Sequence, residues 1–213
     1  MLQIDKFTLG PAATNCYLAA DPDCGQAVII DPAWDGQRLA KAVREKGLEV
    51  KQIWLTHAHF DHFGGLAKLQ EALQEQQGSP VEAGMHPGEE MLWNVKGGAG
   101  FFGVEVDEAP QPTLELQEGE QLTVGSYPFQ VLHAPGHSAG HVMFYCPPSR
   151  VLFAGDVIFK AGIGRTDLLG GDYQTLLDSI REQVLSLPDE THIYPGHGPS
   201  TTVGEERRGN PFL

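Results

Sequence analysis

Residues 50–62 read Val50-Lys51-Gln52-Ile53-Trp54-Leu55-Thr56-His57-Ala58-His59-Phe60-Asp61-His62. The first six form a short apolar-rich run closed by polar residues, the pattern of a buried strand. His57, His59, Asp61 and His62 then fall within six residues. In extended chain, residues two apart point the same way, so His57 and His59 can face one metal ion together. Asp61 and His62 come after the turn, at the entrance to a helix, and can face a neighbouring point. Imidazole and carboxylate are the ligands that suit zinc and divalent iron or manganese. A merely solvated turn gives no reason for four such groups directly behind a buried strand.

On both sides of this stretch the chain alternates strand and helix. Gln26–Ile30 (QAVII) is an apolar run closed by Asp31-Pro32. Leu39, Ala40 and Val43 sit at helical spacing between Gly36 and Gly47, with Gly47 as the stop. Leu66, Leu69 and Leu73 form a stripe over Gly64–Gln77. Such alternation predicts a sheet with helices on its faces. Residues 84–112 are rich in glycine and hold Met85, Met91, Trp93, Phe101 and Phe102. They read as a long ordered excursion whose aromatics either pin it to the body or line a substrate. Strands are then expected at Gln121–Val124, Phe129–His133, His141–Tyr145, Val151–Ala154 and Thr191–Tyr194. A helix follows Asp172, its N-cap, through Tyr173, Leu176, Leu177, Ile180, Val184 and Leu187. Glu205–Arg208 reads as a solvated charged run.

Three further clusters punctuate this second half. His133, His137 and His141 surround the Pro135-Gly136 turn, and one or more of them can complete a metal site; spacing alone does not say which. Asp156 ends an apolar strand through Gly155, and its two oxygens can bridge two cations. His197 lies in Tyr194-Pro195-Gly196-His197-Gly198 at the end of the last short strand.

Composition sets the outer limits. A chain of 213 residues, 41% hydrophobic and 20% charged, is an ordinary globular protein long enough to build its own core, and a single domain over 1–213 is expected. A net charge of −14 argues against nucleic acid and against anionic membrane surfaces as partners. Cys16, Cys24 and Cys146 fit neither a zinc ribbon nor a disulfide scaffold. With no visible signal peptide and no apolar run of membrane-span length, a cytoplasmic location is expected.

Taken in order, His-x-His-x-Asp-His, Pro-Gly-His, Gly-Asp and Gly-His-Gly resemble the metallo-β-lactamase-fold superfamily. Thr14-Asn15-Cys16-Tyr17, Ala134-Pro135-Gly136-His137-Ser138 and Gly164-Arg165-Thr166-Asp167 look like its short glyoxalase II-like hydrolases. The resemblance implies an α/β (α+β) fold, a four-layer αββα sandwich with the metals at the rim between the sheets. By that resemblance His57, His59 and His137 hold the first metal, Asp61, His62 and His197 the second, and Asp156 bridges them. His133 and His141 take supporting roles, Asp31 sits behind the metal histidines, and His86 and His192 are incidental. The implied cofactors are two divalent ions, zinc first, with iron or manganese as alternatives. The implied reaction is attack of a metal-bridging hydroxide on a small-molecule thioester, with Asp61 as proton acceptor and Arg165 pairing a substrate carboxylate. The thioester is of hydroxyacylglutathione type, although this chain ends sixteen residues after His197, where full-length glyoxalase II continues into a helical domain with glutathione contacts. The alternative on the same fold is a mononuclear iron persulfide dioxygenase, which leaves Asp61, His62 and His197 without a metal to hold. The oligomeric state is not legible.

Overall fold

The computed structural model describes residues 1–213. The chain opens with two strands that the hydropathy reading did not place, β1 (Gln3–Leu9) and β2 (Thr14–Asp21), paired as an antiparallel hairpin. β3 (Gln26–Ile30) follows where expected, then helix α1 (Gly36–Glu45), whose N-cap Asp35 accepts a hydrogen bond from the Arg38 N–H. β4 (Glu49–Trp54) leads into the histidine turn and a one-turn helix α2 (Phe60–Phe63). Gly64 and Gly65 separate it from α3 (Leu66–Gln77), so the expected helix starts two residues late. β5 (Glu82–Met85), α4 (Glu90–Asn94) and β6 (Leu114–Glu115) complete the first half. Its sheet runs β1-β2-β3-β4-β5-β6.

The second half supplies β7 (Gln121–Val124), β8 (Tyr127–His133), β9 (Val142–Cys146) and β10 (Val151–Gly155). A small hairpin, β11 (Ile158–Phe159) with β12 (Gly162–Ile163), precedes α5 (Tyr173–Ser179), which continues through one wider turn to Val184. β13 (His192–Pro195), β14 (Thr201–Thr202) and α6 (Val203–Gly209) close the fold. The second sheet runs β14-β13-β10-β9-β8-β7.

Strand alternation sorts the apolar residues into three cores. From β2, Cys16, Leu18 and Ala20 point to one face, where they meet Leu39 and Val43 of α1 and Leu66, Leu69 and Leu73 of α3. The intervening Tyr17 and Ala19 point to the other face and join Val28, Ile30 and Trp54 against Phe129, Phe144 and Phe153 of the second sheet. The outer face of that sheet, through Leu132, Met143, Leu152 and Ile193, packs on Leu176, Ile180 and Val184. Three cores between successive layers make four layers, helix–sheet–sheet–helix. Both sheets are covered on both faces, which is why the central strands read as continuous apolar runs rather than alternating ones. Trp54 lies in the middle core, fully buried, with its ring against Phe129 and Phe144.

The 84–112 excursion is ordered, as expected, and holds α4 and two short 3-10 turns, Pro87–Glu89 and Lys96–Phe102. One expectation is corrected. The Glu205–Arg208 run is helical within α6 and only partly solvated. Glu206 is buried and accepts from its neighbours Thr201 and Asn210 and from the distant Ala161 N–H, a tertiary contact that a local charge count cannot reveal. No helix is long and apolar enough to cross a membrane.

Candidate metal centre

The turns that follow β4, β8, β10 and β13 converge at one rim of the sandwich and carry the histidine and aspartate clusters. β10 and β13 run parallel, with Leu152 beside Ile193, so the carboxyl ends of both strands reach the same edge. Gly155 turns the chain with φ +48, and a Cβ there would press on His141 Nε2 and Thr56 Oγ1 at 2.6 Å. At Gly196 a Cβ would fall on the Asp156 carboxylate and on His62. Glycine at these two places lets backbone approach the ligands closely. β2 ties the last turn down: Asn15 Nδ2 donates to the Pro195 and Gly198 carbonyls, and the Tyr17 hydroxyl donates to Pro195 at 2.6 Å.

Three ring nitrogens face one another without enough protons to pair them all. His59 Nδ1 lies 2.9 Å from His137 Nε2, which lies 3.2 Å from His57 Nε2. His137 Nδ1 donates to the Arg165 carbonyl at 2.7 Å, which leaves the lone pair on Nε2. Next to this triad, His62 Nε2 is 3.6 Å from Asp61 Oδ2 and 3.4 Å from Asp156 Oδ1, and His197 Nε2 is 3.3 Å from Asp61 Oδ2. Asp156 reaches both groups, its Oδ2 being 3.7 Å from His137 Nε2 and 3.5 Å from His197 Nε2.

Behind the rim stands a layer of fixed hydrogen bonds. Asp31, at φ 50, accepts from the Thr56 N–H and hydroxyl at 2.7 Å and takes the Nδ1 proton of His62 at 2.9 Å. His62 Nε2 is thereby aimed at the carboxylates. The Thr14 hydroxyl donates to Asp61 at 2.7 Å. His141 accepts the Asp156 N–H on Nε2 and stacks on His57.

The electrostatics split the histidines into two kinds. Burial, reinforced by neighbouring imidazoles, holds His57 far below the ordinary histidine range and His59 at about 3. These two are neutral and present lone pairs. Burial opposes a charge on His62 as well, but Asp156, Asp61 and Asp31 overcome it and push its pKa well up. At His197 burial is likewise outweighed, by hydrogen bonds to Asp156 and Asp61, and the pKa rises to about 9. Burial would raise Asp61 and Asp156, yet His62 and His197 keep both carboxylates well below their usual range.

The structure brings together seven of the expected side chains. Their ligand atoms form three overlapping groups, His57/His59/His137, His57/His62/Asp156 and Asp61/His62/His197, each within 4.8 Å. Metal ions fit this donor set. His59 Nε2, His62 Nε2 and Asp156 Oδ1 are buried and lack any hydrogen-bond partner, and the imidazoles of the triad converge within reach of one ion. Arg165 lies beside the rim, with its guanidinium doubly hydrogen-bonded to Asp167 at 2.7 and 2.8 Å. His133 is stacked on His86, away from the cluster. The reading of the sequence missed Glu89. This carboxylate is 1% exposed and accepts the Ala58 and Gly140 N–H groups, each at 2.7 Å. It clamps the first histidine turn to the His137 turn. Glu89 stands beside Glu90 in a glycine-rich stretch, with no spacing signal to single it out.

Fold and donor set together define the class. The family model described as "Metallo-beta-lactamase superfamily" matches residues 9–197, and the chain belongs to that superfamily. It is 42% identical to the "Hydroxyacylglutathione hydrolase GloC" of Haemophilus influenzae over 202 residues, covering 93% of this chain and 92% of that one. The "BLEG-1 B3 metallo-beta-lactamase" crystal structure is similar with a TM-score of 0.90 and 38% identity, over 99% of each chain. "TTHA1623 in a di-iron-bound form" is similar with a TM-score of 0.87 and 41% identity, over 98% of this chain and all of that one.

Proposed function

We propose that this metallo-hydrolase cleaves thioesters, with S-lactoylglutathione-type compounds as the first substrates to try. The observation that carries the reading is the position of Asp156, within reach of both the His57/His59/His137 triad and the Asp61/His62/His197 group. One donor group alone would serve a single-ion site; two groups around a shared carboxylate suit a pair. Ions held there would acidify a water toward a pKa of ~7 and act as Lewis acid toward a carbonyl. The chain's own residues orient that chemistry. Asp31 behind His62, the Thr56 hydroxyl 3.0 Å from His57 Nδ1 and the Arg165 carbonyl behind His137 fix ring orientations, Thr14 fixes Asp61, and Asp61 is the carboxylate assigned to take the water's proton. The reaction balances without a redox partner: a C–O bond forms, the C–S bond breaks, and the thiolate leaves with the electron pair. A thiolate is a good enough leaving group to need no dedicated general acid. The test is metal content by elemental analysis, then release of free thiol from S-lactoylglutathione. Thiol release with about two ions per chain supports the reading. Roughly one iron per chain, no thioester cleavage and oxygen uptake with glutathione persulfide would replace it with the dioxygenase.

A further inference from the structure

A cleft opens directly on His59 and is walled by Leu92, Val95, Phe101, Phe102, Leu168 and Leu169, with Asp167 at its edge. Its volume is about 490 Å³, inside the ~300–1,000 Å³ range of small-molecule sites. The walls come from both halves of the chain, the Lys96–Phe102 turn on one side and the segment after Arg165 on the other. No lysine or arginine lines it, and the nearby Arg165 fork is already held by Asp167.

The apolar side chains here are exposed to a degree that packing does not explain. Of the nine large hydrophobic residues most exposed in this protein, four, Val95, Phe101, Phe102 and Leu169, line this one cleft. Trp93 does pin the excursion, through Phe63, and the inner edge of Phe102 does so through Phe60. Phe101 does neither and stands 92% exposed at the mouth. Clustered exposed apolar surface beside a reactive centre marks a binding surface rather than a core.

From this geometry we infer that the enzyme is selective for thioesters with an apolar acyl chain, aliphatic or aromatic, which lies along the Phe101/Phe102/Leu169 cleft. The inference rests on the thioesterase reading above. Biological thiol carriers are rich in amides and carboxylates, which a cleft without cations does not reward, so the apolar partner is the acyl side. Each buried methylene contributes about 0.8 kcal/mol, which corresponds to a roughly three- to fourfold gain in kcat/KM.

Metal-loaded protein is assayed for thiol release from the acetyl, butyryl, hexanoyl and octanoyl thioesters of N-acetylcysteamine, a small neutral thiol. A second series keeps the acetyl group and lengthens an alkyl thiol instead. Rates are expected to climb roughly three- to fourfold per acyl methylene until the cleft is filled, and to stay level in the thiol series. Metal-free protein gives a readout independent of turnover. Binding of the matching uncleavable thioethers by calorimetry tightens by the same factor per methylene. Phe101→Ser and Leu169→Asp change exposed residues, and each flattens the length dependence, costing the octanoyl thioester about tenfold relative to the acetyl. Equal rates across the acyl series, a slope only on the thiol side, or S-lactoylglutathione turned over faster than every apolar thioester would overturn the inference and leave the thioesterase standing. Failure to cleave any thioester overturns both.

Discussion

Filling the Asp61/His62/His197 group of stripped protein should expel protons, whereas His57 and His59 should give up none when their group is filled. In the metal-free state at pH 7, His197, pushed up to about 9, is protonated in about 99 molecules of a hundred. His62 holds its proton more tightly than an ordinary histidine, because Asp156, Asp61 and Asp31 outweigh the burial that opposes its charge. A metal accepts only neutral imidazole, so both protons must leave. His59, held at about 3, and the more deeply buried His57 have none to give. The sign follows: raising the pH favours metal at the carboxylate-rich group and does little at the triad. For His197 alone, two units between about 9 and neutrality weaken binding at pH 7 by roughly a hundredfold, or about 3 kcal/mol. The assay is zinc titration by calorimetry in buffers of different ionisation enthalpy, whose slope counts protons. More than one proton should accompany one of the two binding events, and the apparent log affinity of that event should rise more steeply with pH between 6 and 8 than that of the other. Equal release at both events, or a pH-independent second event, would refute the division of the histidines into neutral and charged sets.

Asp61→Asn should lower turnover by orders of magnitude and leave about one ion per chain, checked by steady-state rates and elemental analysis on one preparation. Glu89→Gln keeps the shape of the clamp but offers one acceptor oxygen to two backbone donors. It should cost about 1.5–3 kcal/mol in thermal or denaturant unfolding and weaken zinc binding about 10–100-fold in competition with a chromophoric chelator. Asp21, whose carboxylate accepts from Ser126 and Asp23, has its pKa lowered from 3.8 to about 2, so its contribution is complete above pH 4 and fades as the pH falls through about 2. Asp21→Asn should therefore lower Tm at pH 7, where that contribution is complete, and flatten the acid dependence of Tm between those values.

Much of the sandwich was legible because its central strands are covered on both faces and so stand out as apolar runs, as at Gln26–Ile30 and Val151–Ala154. β1 escaped notice because no local hydropathy contrast marks it, and β2, although it holds the apolar run Cys16–Ala20, was read only for its Thr14–Tyr17 motif; the hairpin is defined by pairing, Gln3 with Ala20 through to Leu9 with Thr14. The first histidine turn declared itself because four donors sit within six residues. Asp156 and His197 each look ordinary alone, and only their order along the chain made them readable, through likeness to a known pattern. Glu89 and Glu206 were out of reach for a plainer reason. Glu89 is held by Ala58 and Gly140, 31 and 51 residues away, and Glu206 reaches Ala161, 45 residues away, and a buried carboxylate looks like any surface one until the chain is folded.

The donors are divided between the layers: the first sheet's turn brings His57, His59, Asp61 and His62, and the second sheet's turns bring His137, Asp156 and His197. Neither half can saturate an ion alone, so each bound ion works as a rivet through the seam of the sandwich. Occupancy and cohesion are then two readings of one equilibrium, with stability growing as RT ln(1 + [L]/Kd) for each filled site. A cell short of metal would hold this protein in a looser form as well as an idle one, and its lifetime would follow the metal supply.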